Sequence, residues 1–282
     1  MRTSINSLIL AAMLTLASIS PCLALDNSIY IQQSGNNSMI NMTQDGAGNV
    51  IRGVQGTGAD NTTPALITGN ANTVTVNQIG TGNTLDIGIQ TSIQNGSSGG
   101  NQFSYSVYGN NSTAVIDSNN DNKNVSASNS VSVAQTGDFS NANVNVLGSL
   151  NVVSATTSGG SYNSVTSTVN GNYNTQTITI SNGGNNSVTV NQGIGGSAIP
   201  LTTAGLEGSA TNSNNSSVNL SVSGASNLVN ISQTGGANTT VAGIVGSGNT
   251  ANIVQSAIAG NTTVNLNSTG NGNTFNITSI NH

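Results

Sequence analysis

Asn186-Ser187-Val188-Thr189-Val190-Asn191-Gln192 reads as a carboxamide, two apolar residues in strict alternation, and a closing carboxamide. The phrase recurs as Asn72-Thr73-Val74-Thr75-Val76-Asn77-Gln78, as Asn227-Leu228-Val229-Asn230-Ile231-Ser232-Gln233 and as Asn249-Thr250-Ala251-Asn252-Ile253-Val254-Gln255. Side chains of a strand alternate faces with a period of two. Asn72, Val74, Val76 and Gln78 therefore share one face, as do Asn186, Val188, Val190 and Gln192. The same parity groups Asn227, Val229, Ile231 and Gln233, and Asn249, Ala251, Ile253 and Gln255. The apolar pairs form the expected core, and the hydroxyls and amides between them face water.

Gly-rich segments separate the phrases: Gln44-Asp45-Gly46-Ala47-Gly48-Asn49, Gln78-Ile79-Gly80-Thr81-Gly82-Asn83 and Gln233-Thr234-Gly235-Gly236-Ala237-Asn238. Gly46, Gly80 and Gly235 are the expected turn glycines, since a tight reversal asks for positive φ. The turn asparagines run Asn37, Asn49, Asn61, Asn72 and Asn83, then Asn163, Asn174 and Asn186, then Asn215, Asn227, Asn238, Asn249, Asn261 and Asn273, at steps of 11 or 12. One such strand cannot bury its apolar pair alone. Two strands face to face make a coil of about 22–24 residues, and stacked coils share a continuous core. The expected fold is an all-β, amyloid-like β-solenoid of strand-turn-strand coils. Ladders of identical amides from coil to coil would fix its register.

The first 24 residues stand outside the repeat. Arg2, the apolar stretch Leu8 to Ile19 and the small residues at Cys22-Leu23-Ala24 read as a secretory signal peptide over residues 1–24. Residues 25–282 read as one array, with a loop ejected around 193–214 and phasing that blurs from about 95 to 180. The lone cysteine, Cys22, falls in the leader, so no disulfide or thiolate metal site is expected beyond it. No stretch reads as a transmembrane anchor.

Charged residues make up 4% of the chain. Beyond the leader, Arg52 and Lys123 stand against eight carboxylates, which argues against nucleic acid or an anionic membrane as partner. The one histidine is the last residue, His282, a poor place to hold a catalytic tautomer. Asp45, Asp60, Asp121 and Asp138 fall in turns; Asp86 and Asp117 fall in or near strands, where solvent-facing charge restrains aggregation. Glu207 has no visible partner. No catalytic residue, cofactor or metal is expected, and the chain does not read as an enzyme.

The spacing of a Gln, a glycine two residues on, an Asn three further, alternating apolar residues and a closing Gln resembles the curlin repeat of curli subunits, secreted amyloid proteins of Gram-negative bacteria. Gln44 to Asn49, Gln78 to Asn83 and Gln233 to Asn238 carry it. The resemblance implies a secreted subunit that polymerises into extracellular or cell-surface fibres serving adhesion, aggregation or biofilm. It implies self as the main partner, with related fibre subunits or a nucleator and a secretion machinery alongside. It also implies that Asn72, Gln78, Asn186, Gln192, Asn227, Gln233, Asn249 and Gln255 are internal ladder residues. Two departures stand out. Asn27-Ser28-Ile29-Tyr30-Ile31 enters the repeat with no separate Gly-rich leader, and the strand from Asn261 to Asn267 lacks its closing Gln. The alternative reading is a monomeric secreted solenoid, either an ice-binding module, prompted by the outward threonines of Thr73-Val74-Thr75 and Thr177-Ile178-Thr179, or a surface adhesin.

Overall fold

The computed structural model describes residues 26–54, 62–90, 100–119, 128–193, 213–257 and 261–281. The expected leader, Asn61 and residues 194–212 of the expected loop lie outside the described residues. The first strands are β1 (Ser28–Ile29), β2 (Ile31–Ser34), β3 (Met39–Asp45), β4 (Val50–Arg52), β5 (Ala65–Thr68), β6 (Thr73–Ile79) and β7 (Thr84–Gln90). The middle of the chain supplies β8 (Gln102–Tyr108), β9 (Thr113–Asn119), β10 (Ser130–Thr136), β11 (Asn141–Leu147), β12 (Val152–Thr157), β13 (Ser164–Asn170), β14 (Thr175–Ser181) and β15 (Ser187–Gln192). The last are β16 (Ser213–Asn214), β17 (Ser217–Ser223), β18 (Leu228–Gly236), β19 (Thr239–Val245), β20 (Thr250–Ala257), β21 (Thr263–Thr269) and β22 (Thr274–Asn281). No helix occurs among the described residues.

These strands form two parallel sheets stacked face to face. Sheet A runs β1-β4-β7-β9-β11-β13-β15-β18-β20-β22, with β2 and β5 extending its first lines, and sheet B runs β3-β6-β8-β10-β12-β14-β17-β19-β21. The chain alternates between them, which is the expected solenoid. Regular coils advance by 22 residues where Val131 meets Val153 and Val229 meets Ala251. They advance by 23 where Ala142 meets Val165 and by 24 where Thr240 meets Val264. Longer steps occur where extra residues enter: 29 from Thr73 to Gln102 and 41 from Ser187 to Leu228. Extra length enters in two places. One lies between β4 and β5, which share the line of β7. The other is the edge where the chain passes from sheet A to sheet B. The opposite edge, from B to A, keeps short turns throughout.

The stretch from 95 to 180, where the sequence phasing blurs, holds strands as regular as any others. Four of its turns carry bulky residues, Phe139, Leu150, Tyr162 and Tyr173, where other coils carry Gly, Asn, Ser or Ala, and that hides the punctuation.

The core is a strip between the sheets. Val74, Val76, Val188, Val190, Val229, Ile231, Ala251 and Ile253 all lie in it fully buried, joined by Phe103 and Tyr105 from the middle coils. Each buried aliphatic side chain of this size contributes roughly 1.5–3 kcal/mol relative to exposure. Asp86 departs from expectation. It points outward from sheet A yet is nearly buried, and its Oδ1 accepts from Arg52 Nε at 2.7 Å. Val54 reaches over the neighbouring Gly88 and shields this part of the face from water. Asp86 is half of an ion pair rather than a solvated charge.

Candidate self-assembly surface

Along sheet A one inward position forms an unbroken column: Asn27, Asn49, Asn83, Ser112, Ser140, Asn163, Asn186, Asn227, Asn249 and Asn273. Along sheet B the column is Ser38, Asn72, Asn101, Asn129, Asn151, Asn174, Ser216, Asn238 and Thr262. In these columns the Asn Oδ1 accepts from the next coil, in most cases from the backbone N–H of its counterpart, as Asn83 N–H donates to Asn49 Oδ1 at 3.0 Å and Asn249 N–H to Asn227 Oδ1 at 3.0 Å. Asn72 and Asn238 accept instead from the side chains of Asn101 and Thr262. The Nδ2 groups vary: Asn83 and Asn227 donate forward to Gly109 O and Gly246 O, both at 2.8 Å, whereas Asn72, Asn163 and Asn238 donate within their own coil, to Thr68 O, Gly160 O and Thr234 O. These bonds pair buried polar groups at the turns without water, which a buried reversal requires.

Three of the expected turn asparagines sit one residue early. Asn37, Asn215 and Asn261 are exposed, and Ser38, Ser216 and Thr262 take the inward place. A hydroxyl oxygen replaces the carboxamide oxygen well enough that Asn238 N–H donates to Ser216 Oγ at 3.2 Å. Ser140 does not manage this. Its own N–H donates to Ser112 Oγ at 3.2 Å, but its buried Oγ has no partner.

The closing glutamines form two separate runs. In sheet B Gln44 Nε2 donates to Gln78 Oε1 at 2.8 Å. In sheet A Gln192 donates to Gln233 at 2.9 Å and Gln233 to Gln255 at 2.8 Å. Between these runs the position is held by Val107, Gln135, Thr157 and Ile180 in sheet B and by Ile89, Ser118, Val146 and Val169 in sheet A. Gln135 is reached instead from within the core, where Tyr105 O–H donates to its Oε1 at 2.8 Å. Burial pushes the Tyr105 hydroxyl well above the usual phenol range.

Gly46 and Gly80 stack in one turn column, and a Cβ on either would fall 1.9 Å from the carbonyl oxygen of the next glycine up. Their φ values of 115° and 121° are equally hostile to a side chain. Gly235 has a different place. It lies inside β18, paired with Ala257 and with Ser213, where the strand runs on past its usual end.

The stack is open at both ends among the described residues. Strand β3 pairs only with β6, β21 only with β19, and β22 only with β20. Ile31, Ile40 and Met42 at one end and Phe275 and Ile277 at the other are only partly buried, since no further coil of the described residues covers them. An edge with unpaired backbone groups beside half-covered apolar side chains is a template for another strand. No cluster of three His, Cys, Asp or Glu residues able to hold a metal occurs among the described residues, and no described helix is long and apolar enough to cross a membrane.

Residues 224–256 match the family model of the curlin associated repeat. No curated protein and no solved structure matches the chain. The curlin match spans Asn227, Gln233, Asn238, Asn249 and Gln255, where the Asn columns run beside the sheet A glutamines. Outside it the inward columns continue; the first coils keep the Gln44–Gln78 pair, and in the middle coils apolar or hydroxyl residues replace most of the glutamines.

Proposed function

We propose that the chain is a secreted structural subunit that polymerises by stacking, coil on coil, into curli-like extracellular fibres. The carrying observation is the pair of open, mutually compatible ends. Continuing the register one coil past β21 and β22 sets Thr262 against Ser38 of a second copy, Val264 against Ile40, Leu266 against Met42 and Asn273 against Asn27. Apolar meets apolar, and each ladder residue meets a ladder residue. The columns also give the stack a direction, because the Asn side-chain oxygens accept from the next, later coil. Stacking is accordingly head to tail, the C-terminal end of one copy against the N-terminal end of the next, so a copy can join a fibre through either of its ends. The curlin associated repeat match supports the same reading. Such fibres would serve adhesion, aggregation or biofilm matrix, with a nucleator or related subunits and an export machinery as partners, and residues 1–24 as the leader that sends the chain out.

The test is incubation of the purified chain without its leader. Thioflavin-positive fibres with a meridional spacing of ~4.7 Å are expected. A chain that stays monomeric at high concentration would overturn the polymer.

A second reading has one observation in its favour. The outer face of sheet B carries no insertions and presents columns such as Thr75-Ser104-Ser132-Ser154-Thr177. That is a run of hydroxyls, giving way to Asn219 and Val241 in later coils, of the kind an ice-binding or adhesive monomer would use. Thermal hysteresis in the absence of fibres would favour it.

A further inference from the structure

In most coils the residue just before the inward ladder position adopts a left-handed backbone. Small or turn-adapted residues occupy it in the outer coils: Gly48, Gly82, Asn111, Asn185, Ser226 and Gly248 on the B-to-A edge, and Asn37, Ala71, Gly100, Ser128, Asn215 and Ala237 on the other. Four consecutive turns break this rule. Phe139, Leu150, Tyr162 and Tyr173 sit there with φ of 53°, 59°, 62° and 59°. Bulky side chains are rare in that region, and such outliers point toward function. Nor are the four repaid by burial within the chain, since they remain 46%, 44%, 58% and 59% exposed. Phe139 and Tyr162 stack on one edge, with ring centroids 5.0 Å apart and planes within 3°. Leu150 and Tyr173 occupy the opposite edge of the same two coils.

We infer that these turns are a lateral contact between two copies of this chain lying side by side and pointing the same way. Three observations select that occupant. First, the two patches lie at the same height on opposite edges, so a sideways translation alone brings Phe139 and Tyr162 of one copy onto Leu150 and Tyr173 of another. Second, each patch is two coils tall, so they match in extent. Third, Asp138, beside Phe139, is the one charged residue in these four turns, so no like charges oppose each other across the contact. Exposed Tyr and Phe are also the side chains that gain most from packing at an interface. Side-by-side pairing builds on the polymer reading for its strength, because a weak contact repeated once per subunit becomes strong along a fibre.

The test uses the mature chain, which has no cysteine of its own once the expected leader is gone. A Phe139→Cys chain and a mass-tagged Leu150→Cys chain are mixed, allowed to assemble and mildly oxidised. The tagged–untagged disulfide dimer is expected to exceed either homodimer several-fold, and to exceed dimers of a Ser132→Cys control on the sheet B face. Homodimers in excess, or cross-linking no greater than the control, would overturn the contact. A second variant replaces Phe139, Leu150, Tyr162 and Tyr173 together by Asn, which suits the left-handed backbone. Electron microscopy is expected to show single filaments where the parent shows bundles, and bundles of unchanged width would overturn the contact as well. Fibres absent from the parent chain, with the mixed dimer present, would instead sink the polymer and leave the contact standing.

Discussion

Asn227 sits directly below Asn249, and its Oδ1 accepts both the backbone N–H and the side-chain N–H of Asn249 at 3.0 Å. The same carboxamide donates from Nδ2 to Gly246 O. One side chain thus holds two backbone groups of the following coil.

Asn227→Ala is therefore expected to cost about 2–4 kcal/mol, since it leaves a buried N–H and a partly buried carbonyl unpaired. Amide exchange at Asn249 and Gly246 reads this locally, which suits a repeat array whose unfolding need not be all-or-none. Asn41→Ala, on the outer face of β3, serves as the control and should change exchange little.

Ser140→Asn should do the reverse. Its Oγ is buried without a partner in a column that is otherwise built from groups able to reach the next coil. A carboxamide there extends to the Asn163 N–H, and a gain of about 1 kcal/mol is expected. Denaturant unfolding monitored in the middle coils checks it, and a loss of stability would show that the gap has another purpose.

Gly80→Ala is expected to destabilise by at least about 2 kcal/mol. The left-handed backbone alone disfavours a Cβ by roughly 1–2 kcal/mol, and the new atom would also meet Gly109 O. Gly236→Ala, where a Cβ meets nothing within 4 Å, is the matched comparison and should fold nearly as the parent.

Tyr105 predicts an alkaline limit. Its folded pKa is raised above the unfolded value by burial, so its contribution is fully present below about pH 10 and is lost as pH climbs toward the folded value. Thermal unfolding of the parent should fall more steeply above pH 10 than that of Tyr105→Phe. Parallel curves would contradict the burial of this hydroxyl.

Met42→Lys places a charge on the exposed N-terminal end of the core. If growth is head to tail, this variant still docks through its intact C-terminal end and then blocks the next addition there. Substoichiometric amounts are expected to slow elongation of parent seeds, while Thr43→Lys, pointing outward from the same strand, should not.

Much of this was legible in the chain. The alternation around Val188 and Val190 gave the faces, and the carboxamides at Asn227 and Gln233 gave the inward columns. What escaped has physical causes. Ser38, Ser216 and Thr262 take ladder positions because the column needs an acceptor oxygen, not an amide. Each follows an Asn that the eye prefers: Asn37, Asn215 and Asn261. Phe139, Leu150, Tyr162 and Tyr173 mask turns because a left-handed position does not announce itself when a bulky residue fills it. Asp86 looked solvated because its partner, Arg52, is 34 residues away in sequence yet next to it in the sheet.

The restriction of extra length to sheet A and to a single edge has a consequence for anything built from these coils. The main line of sheet A has ten strands, so each copy advances a filament by about 45–50 Å. Segments added at those places would recur at that interval along one side only. Such a filament would have a decorated side and a bare side, and foreign peptides grafted between β4 and β5 would be displayed as a single spaced row.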